Sequence, residues 1–136
     1  MAAASNEELI DSAQAVLNPH VVGDRLFGDV ASTLVTDRDN RFSGVCIDTA
    51  SGTGFCAEHS AIAAMVTAGE YRVAKIVAVW RDEAGALYVL SPCGRCRELI
   101  RQVDPANLDT EVVLGRRRSA KLRDLLPVTE LPAPLD

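Results

Sequence analysis

The sequence predicts a three-layer α/β/α domain in which one mixed sheet of about five strands lies between helices. Segments with strand character alternate with helical segments along the chain, and neither a linker nor an internal repeat interrupts them. At 136 residues the chain is long enough to bury a core without disulfide staples. We therefore expect a single domain over residues 1–136. Residues 128–136 are predicted to form an extended or disordered tail, because this end is rich in proline.

The first helix is predicted from its start signal. Ser5 and Glu8 form a capping box, and apolar residues recur behind it at helical spacing until Asn18-Pro19 ends the helix. Segments rich in β-branched and apolar residues are predicted as strands at residues 30–36, 41–47, 75–80, 87–90 and 111–114. A polar turn at 37–40 joins the first two of these strands.

Three more helices are predicted between and after the strands. An alanine-rich helix covers residues 57–68, and the loop before it, at 49–55, is expected to be mobile or tightly turned. The third helix is predicted to start at Pro92 and to stop at Asp104-Pro105, because proline suits only the first turn of a helix. Residues 122–126 are predicted to form a short final helix.

Two short stretches carry the residues expected to do chemistry, namely Cys56-Ala57-Glu58 and the run from Ser91 to Cys96. Cys93 and Cys96 are nearly one helical turn apart, so both sulfurs can face one point. Cys56 can supply a third thiolate if its helix starts at the same place. Three protein ligands leave one position of a tetrahedral zinc ion open, which is typical of a catalytic site, whereas a structural site needs a fourth ligand.

Glu58 is the candidate proton carrier beside such a metal. It lies two residues after a candidate ligand. Zinc lowers the pKa of a bound water molecule towards about 7, and a carboxylate within reach can carry the released proton to a leaving group. A Pro-Cys-x-x-Cys motif, combined with a ligand two residues before a glutamate, is the pattern of the zinc deaminases.

On these motifs the segment from Phe27 to Pro127 resembles the cytidine deaminase superfamily. The likeness is closest to the small pyrimidine-nucleoside deaminases and to the blasticidin S deaminases, which share the run Ser-Pro-Cys-Gly-Arg-Cys-Arg found at residues 91–97. The resemblance implies one zinc ion per chain, held by Cys56, Cys93 and Cys96, and a homotetramer. It also implies hydrolytic deamination of a small pyrimidine-like heterocycle, with Glu58 moving the protons and ammonia leaving.

The resemblance further implies a set of substrate contacts. The backbone N–H of Ala57 would hold a ring carbonyl group, and the backbone carbonyl of Ser91 would accept a hydrogen bond from the amino group. Phe27 and Trp80 are candidates for stacking on the ring, with packing in the core as the alternative for both.

The positions that bind ribose in the family differ in this chain. The family uses an Asn and a Glu on the second strand, whereas this chain has Cys46 and Asp48 there. A free base, a modified pyrimidine or another amino-heterocycle therefore fits as well as a nucleoside. Cys46 is expected to be a buried free thiol, with a role as a fourth zinc ligand as the alternative.

The charged residues indicate which partners the protein can bind. The formal net charge of −5 opposes a long phosphate backbone and favours a small uncharged or cationic substrate. Zinc with three thiolates carries a charge of about −1, which His59, Arg95 and Arg97 are candidates to offset. His59 stands where the family commonly has Arg, and it is expected to face away from the Cys56 side of its helix. The basic segment 116–123 is expected to be a solvated turn or a subunit contact.

Two other functions are compatible with the same scaffold. One is an editing deaminase that acts on RNA or DNA, which the acidic balance disfavours. The other is a binding protein without catalysis, which would not need Glu58. A cytoplasmic location is expected, since the sequence has neither a long apolar run nor a basic, export-like start.

Overall fold

A six-stranded mixed sheet forms the middle layer of the protein, seen in a computed structural model that describes residues 4–135. Residues 1–3 and Asp136, which belong to the predicted domain and tail, lie outside the described residues. The elements follow in the order α1 (Asn6–Val16), β1 (His20–Val22), β2 (Arg25–Phe27), β3 (Val30–Thr36), β4 (Arg41–Val45), α2 (Ala57–Thr67), β5 (Val73–Arg81), β6 (Leu87–Val89), α3 (Gly94–Val103), a 3-10 turn (Pro105–Asp109), β7 (Glu111–Gly115), β8 (Arg118–Lys121) and α4 (Leu122–Leu125).

The strand order of the sheet is β4-β3-β5-β7-β8, and β6 pairs with β5. The pairing of β5 with β7 is parallel, and α3 lies on the crossover between them. The other pairings in the sheet are antiparallel. The predicted mixed sheet is therefore confirmed, together with the α/β class.

Helices cover both faces of the sheet and bury two separate apolar clusters. On one face, Leu9 and Ile10 of α1 pack with Ala31, Val77 and Val79. The residues of the other cluster come mainly from α2, α3, α4 and the opposite face of the sheet, and include Leu34, Ala61, Ile62, Met65, Ile76, Ile100, Val112 and Leu122. Each large side chain buried in this way stabilises the fold by roughly 1.5–3 kcal/mol. The three-layer arrangement is confirmed.

The predicted start of the third helix is wrong by two residues. Pro92 precedes the helix, and Cys93 is its N-cap with the extended backbone angles φ −69° and ψ 168°. The second predicted strand also ends early, at Val45, after which Ile47 forms an isolated bridge with Phe55. Cys93 therefore precedes the first residue of the third helix, and Cys46 follows the last residue of β4.

Three short strands are absent from the sequence prediction. The hairpin of β1 and β2 turns at Gly23, whose φ of +62° favours glycine. The edge strand β8 lies in the basic segment and pairs with β7 through its backbone. Its residues do not alternate between apolar and polar, so hydrophobic periodicity gives no signal for it. Arg116 and Arg123 in this segment pair with Glu7 and Asp109.

Helix α2 approaches β4 closely because Gly44 has no side chain. A Cβ at this position would lie 2.3 Å from the Cβ of Ser60 and 2.7 Å from the backbone N of Ala61. The hydroxyl of Ser60 also donates a hydrogen bond to the carbonyl of Val45, at 2.7 Å. Gly44 and Ser60 therefore set how deeply the first turn of α2 sits on the sheet.

None of the helices within residues 4–135 has the length and apolar character needed to cross a bilayer. Residues 127–135 contain neither helix nor strand.

The Gly44→Ala variant is expected to unfold more easily, because the added methyl group must push α2 away from β4. Overpacking of this kind typically costs about 1–3 kcal/mol. Urea denaturation would measure the loss. Gly115→Ala is the matched control, since a Cβ there would meet its nearest neighbour at an ordinary 3.9 Å. Equal stability of the two variants would show that the close approach of α2 is not required.

Candidate metal centre and cavity

The starts of α2 and α3 bring three cysteine sulfurs together. Cys56 is the N-cap of α2, Cys93 is the N-cap of α3, and Cys96 lies in the first turn of α3. The Sγ atoms of Cys56 and Cys93 are 3.6 Å apart, and those of Cys93 and Cys96 are 3.5 Å apart. All four cysteines of the chain are free. The three cysteines singled out in the sequence therefore form one cluster.

The cluster fits a zinc ion with one open position. Tetrahedral zinc with Zn–S bonds of about 2.3 Å places its sulfur ligands about 3.8 Å apart, which is close to the observed separations. The three sulfurs lie within 4.8 Å of one another, and within residues 4–135 no further thiol, imidazole nitrogen or carboxylate oxygen lies within that distance of all three. A fourth coordination position thus stays available for a small ligand.

The protein environment acts differently on the three thiols. Burial raises the pKa of Cys56 and of Cys96, and Cys96 is fully buried. Burial also acts to raise the pKa of Cys93, but hydrogen bonds from the backbone N–H groups of Cys96 and Arg95 and from the neighbouring thiols outweigh it and lower that pKa. Cys93 therefore benefits from the unpaired N–H groups at the start of α3.

Glu58 is a buried carboxyl group beside the cluster. It lies in the first turn of α2 and is only 5% exposed. Burial raises its pKa, while hydrogen bonds from its own backbone N–H and from Cys96 act to lower it. A carboxyl group with a raised pKa in a cavity is suited to taking up and releasing a proton.

His59 reaches the cluster through a cysteine of the other helix. Its Nδ1 lies 3.5 Å from the Sγ of Cys96, and its ring stacks on Phe55 with the centroids 6.0 Å apart. The sequence placed His59 away from the Cys56 side of α2, but a spacing argument within α2 could not include Cys96 on α3. Burial, together with the positive charge of Arg95, lowers the pKa of His59. A neutral imidazole offsets no thiolate charge, although its N–H can still donate a hydrogen bond.

The two arginines near the cluster bind backbone groups. Arg95 donates from Nη1 to the carbonyl of Gly54, at 3.3 Å. Arg97 donates to Ser91, Pro92 and Leu125. Among the hydrogen bonds of the described residues, none joins either guanidinium group to a sulfur of the cluster. Their contacts are therefore those of residues that hold loops in place.

A cavity of about 450 Å³ opens beside the cluster and has the size of a small-molecule site. Of the predicted substrate contacts, Cys46, Asp48, Ala57 and Ser91 line it, together with Glu58. The loop at 49–55 forms another part of its wall, with Ser51 and Gly52 at positive φ as in a tight turn. The candidate metal, the candidate proton carrier and these four residues therefore share one space.

Two predicted contacts do not line the cavity. Trp80 stacks on Tyr88 of the neighbouring strand β6, with the ring centroids 5.1 Å apart. Phe27 lies in β2, opposite His20. Within the described residues, the aromatic side chain that lines the cavity is Phe55, which sequence reasoning missed although it directly precedes Cys56. The structure thus places Phe55, and neither Phe27 nor Trp80, in the lining of this cavity, and stacking of Phe27 or Trp80 on a ring stays a prediction.

One wall of the cavity carries two carboxylate groups, those of Asp29 and Asp48. Cys46 is 4% exposed and donates from Sγ to Asp29, at 3.3 Å, with Asp48 beyond it at 3.7 Å. Burial raises the pKa of Cys46 to about 11, so its thiol is neutral near pH 7 and is poorly suited to bind zinc. Within residues 4–135, neither aspartate forms an ion pair. Sequence reasoning missed Asp29, which lies 17 residues before Cys46.

Known cytidine deaminases are similar to this chain in sequence and in structure. The family model for the cytidine and deoxycytidylate deaminase zinc-binding region matches residues 4–111. Cytidine deaminase from Mycobacterium leprae is similar in structure with a TM-score of 0.72 and 26% identity, over 90% of this chain and 97% of that one. For Burkholderia pseudomallei cytidine deaminase the values are 0.72, 28%, 91% and 98%. For the Mycobacterium tuberculosis enzyme they are 0.69, 27%, 89% and 93%.

The protein is expected to hold one zinc ion per chain, and Cys56→Ala should lose it because two sulfurs cannot complete the site. Cys46→Ala is the matched control and should keep it, since Cys46 lies outside the cluster. Metal content after dialysis would measure both. A thiol reagent at pH 8 should modify Cys46 slowly, because burial raises the pKa of its thiol to about 11 and keeps it mostly protonated. Equal zinc loss from both variants would contradict this assignment of ligands.

Proposed function

The chain belongs to the family of the cytidine and deoxycytidylate deaminase zinc-binding region, and from that membership we propose which substrate it deaminates and which residues do so. As a member, it is a zinc-dependent hydrolytic deaminase of nucleoside-like small molecules. The proposed substrate is an amino-bearing pyrimidine-like heterocycle, either a free base, a nucleoside or a blasticidin-like compound. The observation that supports this most is the buried Glu58 in the same cavity as a three-thiol cluster.

Cys56, Cys93 and Cys96 are the proposed zinc ligands. Zinc held there supplies a water molecule acidified enough to attack an amino-bearing ring carbon near neutral pH. Two of these sulfurs sit at N-caps, where backbone N–H groups lack intrahelical partners. Such N–H groups stabilise thiolate charge. The Nδ1 of His59 lies 3.5 Å from the Sγ of Cys96 and would donate a further hydrogen bond to that thiolate in the tautomer protonated at Nδ1.

Glu58 is the proposed proton carrier. Its carboxylate would take one proton from the attacking water and deliver it to the ring nitrogen as the oxygen bonds to the ring carbon. It would then take the second proton from the hydroxyl group formed on that carbon and deliver it to the amino group, so that the C–N bond breaks, a carbonyl group forms and ammonia leaves. Burial supports this role, because a pKa raised by burial lies nearer to the working pH than that of an exposed carboxyl group. The same burial keeps bulk water away from the carboxyl group between the two transfers.

Ala57 and Ser91 are proposed to orient the ring. Ala57 is the first residue of α2, so its N–H has no partner within the helix and is free to bind a ring carbonyl group. The backbone carbonyl of Ser91 is the proposed acceptor for the substrate's amino group. Both residues line the cavity next to a proposed ligand. Phe55 supplies the aromatic surface that Phe27 and Trp80 were expected to supply.

The carboxylates of Asp29 and Asp48 favour a neutral substrate over a phosphorylated one. A phosphate group in this cavity would face two carboxylates that form no ion pair within residues 4–135, against the single positive charge of Arg95 among the lining residues. The same repulsion, added to the net charge of −5, argues against an editing deaminase that binds RNA or DNA. Proximity of Glu58 to the cluster argues against a binding protein without catalysis. The predicted homotetramer stays a prediction.

Glu58→Gln is expected to retain zinc but to slow ammonia release by about 10²–10⁴-fold, because the amide cannot carry a proton. Ammonia release and zinc content would be measured on the same preparation. Glu98→Gln is the matched control, since Glu98 pairs with Arg101 on the surface of α3 and should leave turnover unchanged. Normal turnover by the Glu58→Gln variant would disprove the proposed role of Glu58.

The kcat/KM for cytidine and deoxycytidine should exceed that for their 5′-phosphates. The ratio of the two kcat/KM values should be smaller in Asp48→Asn. Removing one negative charge near the phosphate should lower the activation free energy for the 5′-phosphates by about 1 kcal/mol, which raises their kcat/KM roughly fivefold. Asp11→Asn on α1 is the control, because α1 covers the other face of the sheet. An unchanged ratio for Asp48→Asn would show that this wall does not select by charge. Cytosine and blasticidin S complete the panel and separate base, nucleoside and antibiotic as substrates.

A further inference from the structure

We propose that Arg97 is a positioning residue that fastens the zinc-binding loop, residues 91–93, to α4. Helix α4 would thereby support the metal centre. The inference rests on the zinc cluster, which is part of the proposed function, but it does not depend on which substrate is deaminated. It assigns Arg97 a different role from the one expected in the sequence, where its charge was to offset the thiolates.

The guanidinium group of Arg97 binds three acceptors on two segments of the chain. Nε donates to the carbonyl of Pro92 at 2.9 Å, and Nη2 donates to the hydroxyl of Ser91 at 3.0 Å. Nη1 donates to the carbonyl of Leu125 at 2.9 Å. All three distances are those of good charge-assisted hydrogen bonds. A planar fork is required to reach these acceptors together, and lysine does not offer one.

One side of this link is the loop that delivers a zinc ligand. Ser91 lines the cavity, Pro92 is buried, and Cys93 follows as the N-cap of α3. The backbone N–H of Arg97 also bonds to the carbonyl of Cys93, at 3.0 Å. The side chain thus folds back over the two residues before the ligand while its backbone closes the first turn after it. Arg97 therefore restrains Cys93 from both directions.

The other side of the link is the end of a very short helix. Helix α4 has only four residues, so its carbonyl groups lack partners within the helix. Leu122 fixes its start, because the side chain is fully buried and the backbone N–H bonds to Thr110 at 2.9 Å. Arg97 fixes its end by binding the carbonyl of Leu125. The family match ends at residue 111, so the support comes from a part of the chain beyond it.

The test measures zinc affinity directly. Zinc-loaded protein would be titrated with a chromophoric chelator, and the apparent zinc dissociation constant compared for Arg97→Lys, Arg97→Met and the parent chain. Changes to residues that orient metal ligands typically cost about 10- to 100-fold in affinity, and we expect this loss for both variants. Arg101→Met is the matched control, because Arg101 lies one turn later on α3 and pairs with Glu98. Its affinity should stay within about twofold of the parent, since Arg101 orients no ligand.

Hydrogen exchange gives a second readout that a generally weakened fold would not reproduce. If Arg97 couples the loop to α4, bound zinc should slow amide exchange in residues 122–126, because coupling between two sites is reciprocal. That zinc-dependent protection should disappear in Arg97→Met. Parent-like zinc affinity in Arg97→Met, or zinc-dependent protection of α4 that survives in it, would overturn the proposal.

A milder variant keeps the test decisive if Arg97→Met does not fold. Ser91→Ala removes one of the three acceptors at an exposed hydroxyl, and it should weaken zinc binding severalfold. Unchanged zinc affinity in Ser91→Ala would then count against the link.

None of these measurements uses a substrate. A chain that shows the coupling but releases no ammonia from any heterocycle would overturn the deaminase proposal and leave this one standing.

Discussion

The meeting of two helix N-termini at one point is the constraint on which the functional part of this structure depends. Cys56 and Cys93 occupy N-cap positions, and Glu58 and Cys96 follow within the first turns of the same helices. Three thiolates and a carboxylate so close together would repel one another strongly. The unpaired N–H groups of two helix starts oppose that repulsion in the protein, and a bound zinc ion does so more strongly. Other features hold the two helices in place, including Gly44 under α2 and Arg97 on α3.

The parts of the site that the sequence predicted are those set by local chain geometry. Cys56 and Glu58 are two residues apart on one helix start, and Cys93 and Cys96 are one turn apart on another, so their spacing alone fixes their relative positions. The α/β class followed from hydrophobic periodicity, which survives wherever one face of an element is buried. The short edge strand β8 lacks that periodicity and was not predicted.

Sequence reasoning missed the features that depend on how distant segments pack. Asp29 and Cys46 meet at the end of two neighbouring strands, and His59 reaches Cys96 only because α3 lies against α2. The contact of Trp80 was missed for the same reason, since its strand was identified but its stacking on Tyr88 depends on the pairing with β6. In each case the residue type was visible in the sequence, whereas its partner was determined by tertiary structure.

The closeness of Cys56 and Cys93 also has a consequence for the unfolded chain. These two residues are 37 positions apart, and the segment between them contains α2, β5 and β6. A covalent bridge over such a span would lower the conformational entropy of the unfolded chain and so raise its free energy by about 4 kcal/mol. A zinc ion bound to both thiolates acts as a removable bridge of the same kind. With Cys56 and Cys93 as its ligands, the metal would cross-link two residues that are 37 positions apart, and its loss would leave the chain to close that loop without the cross-link.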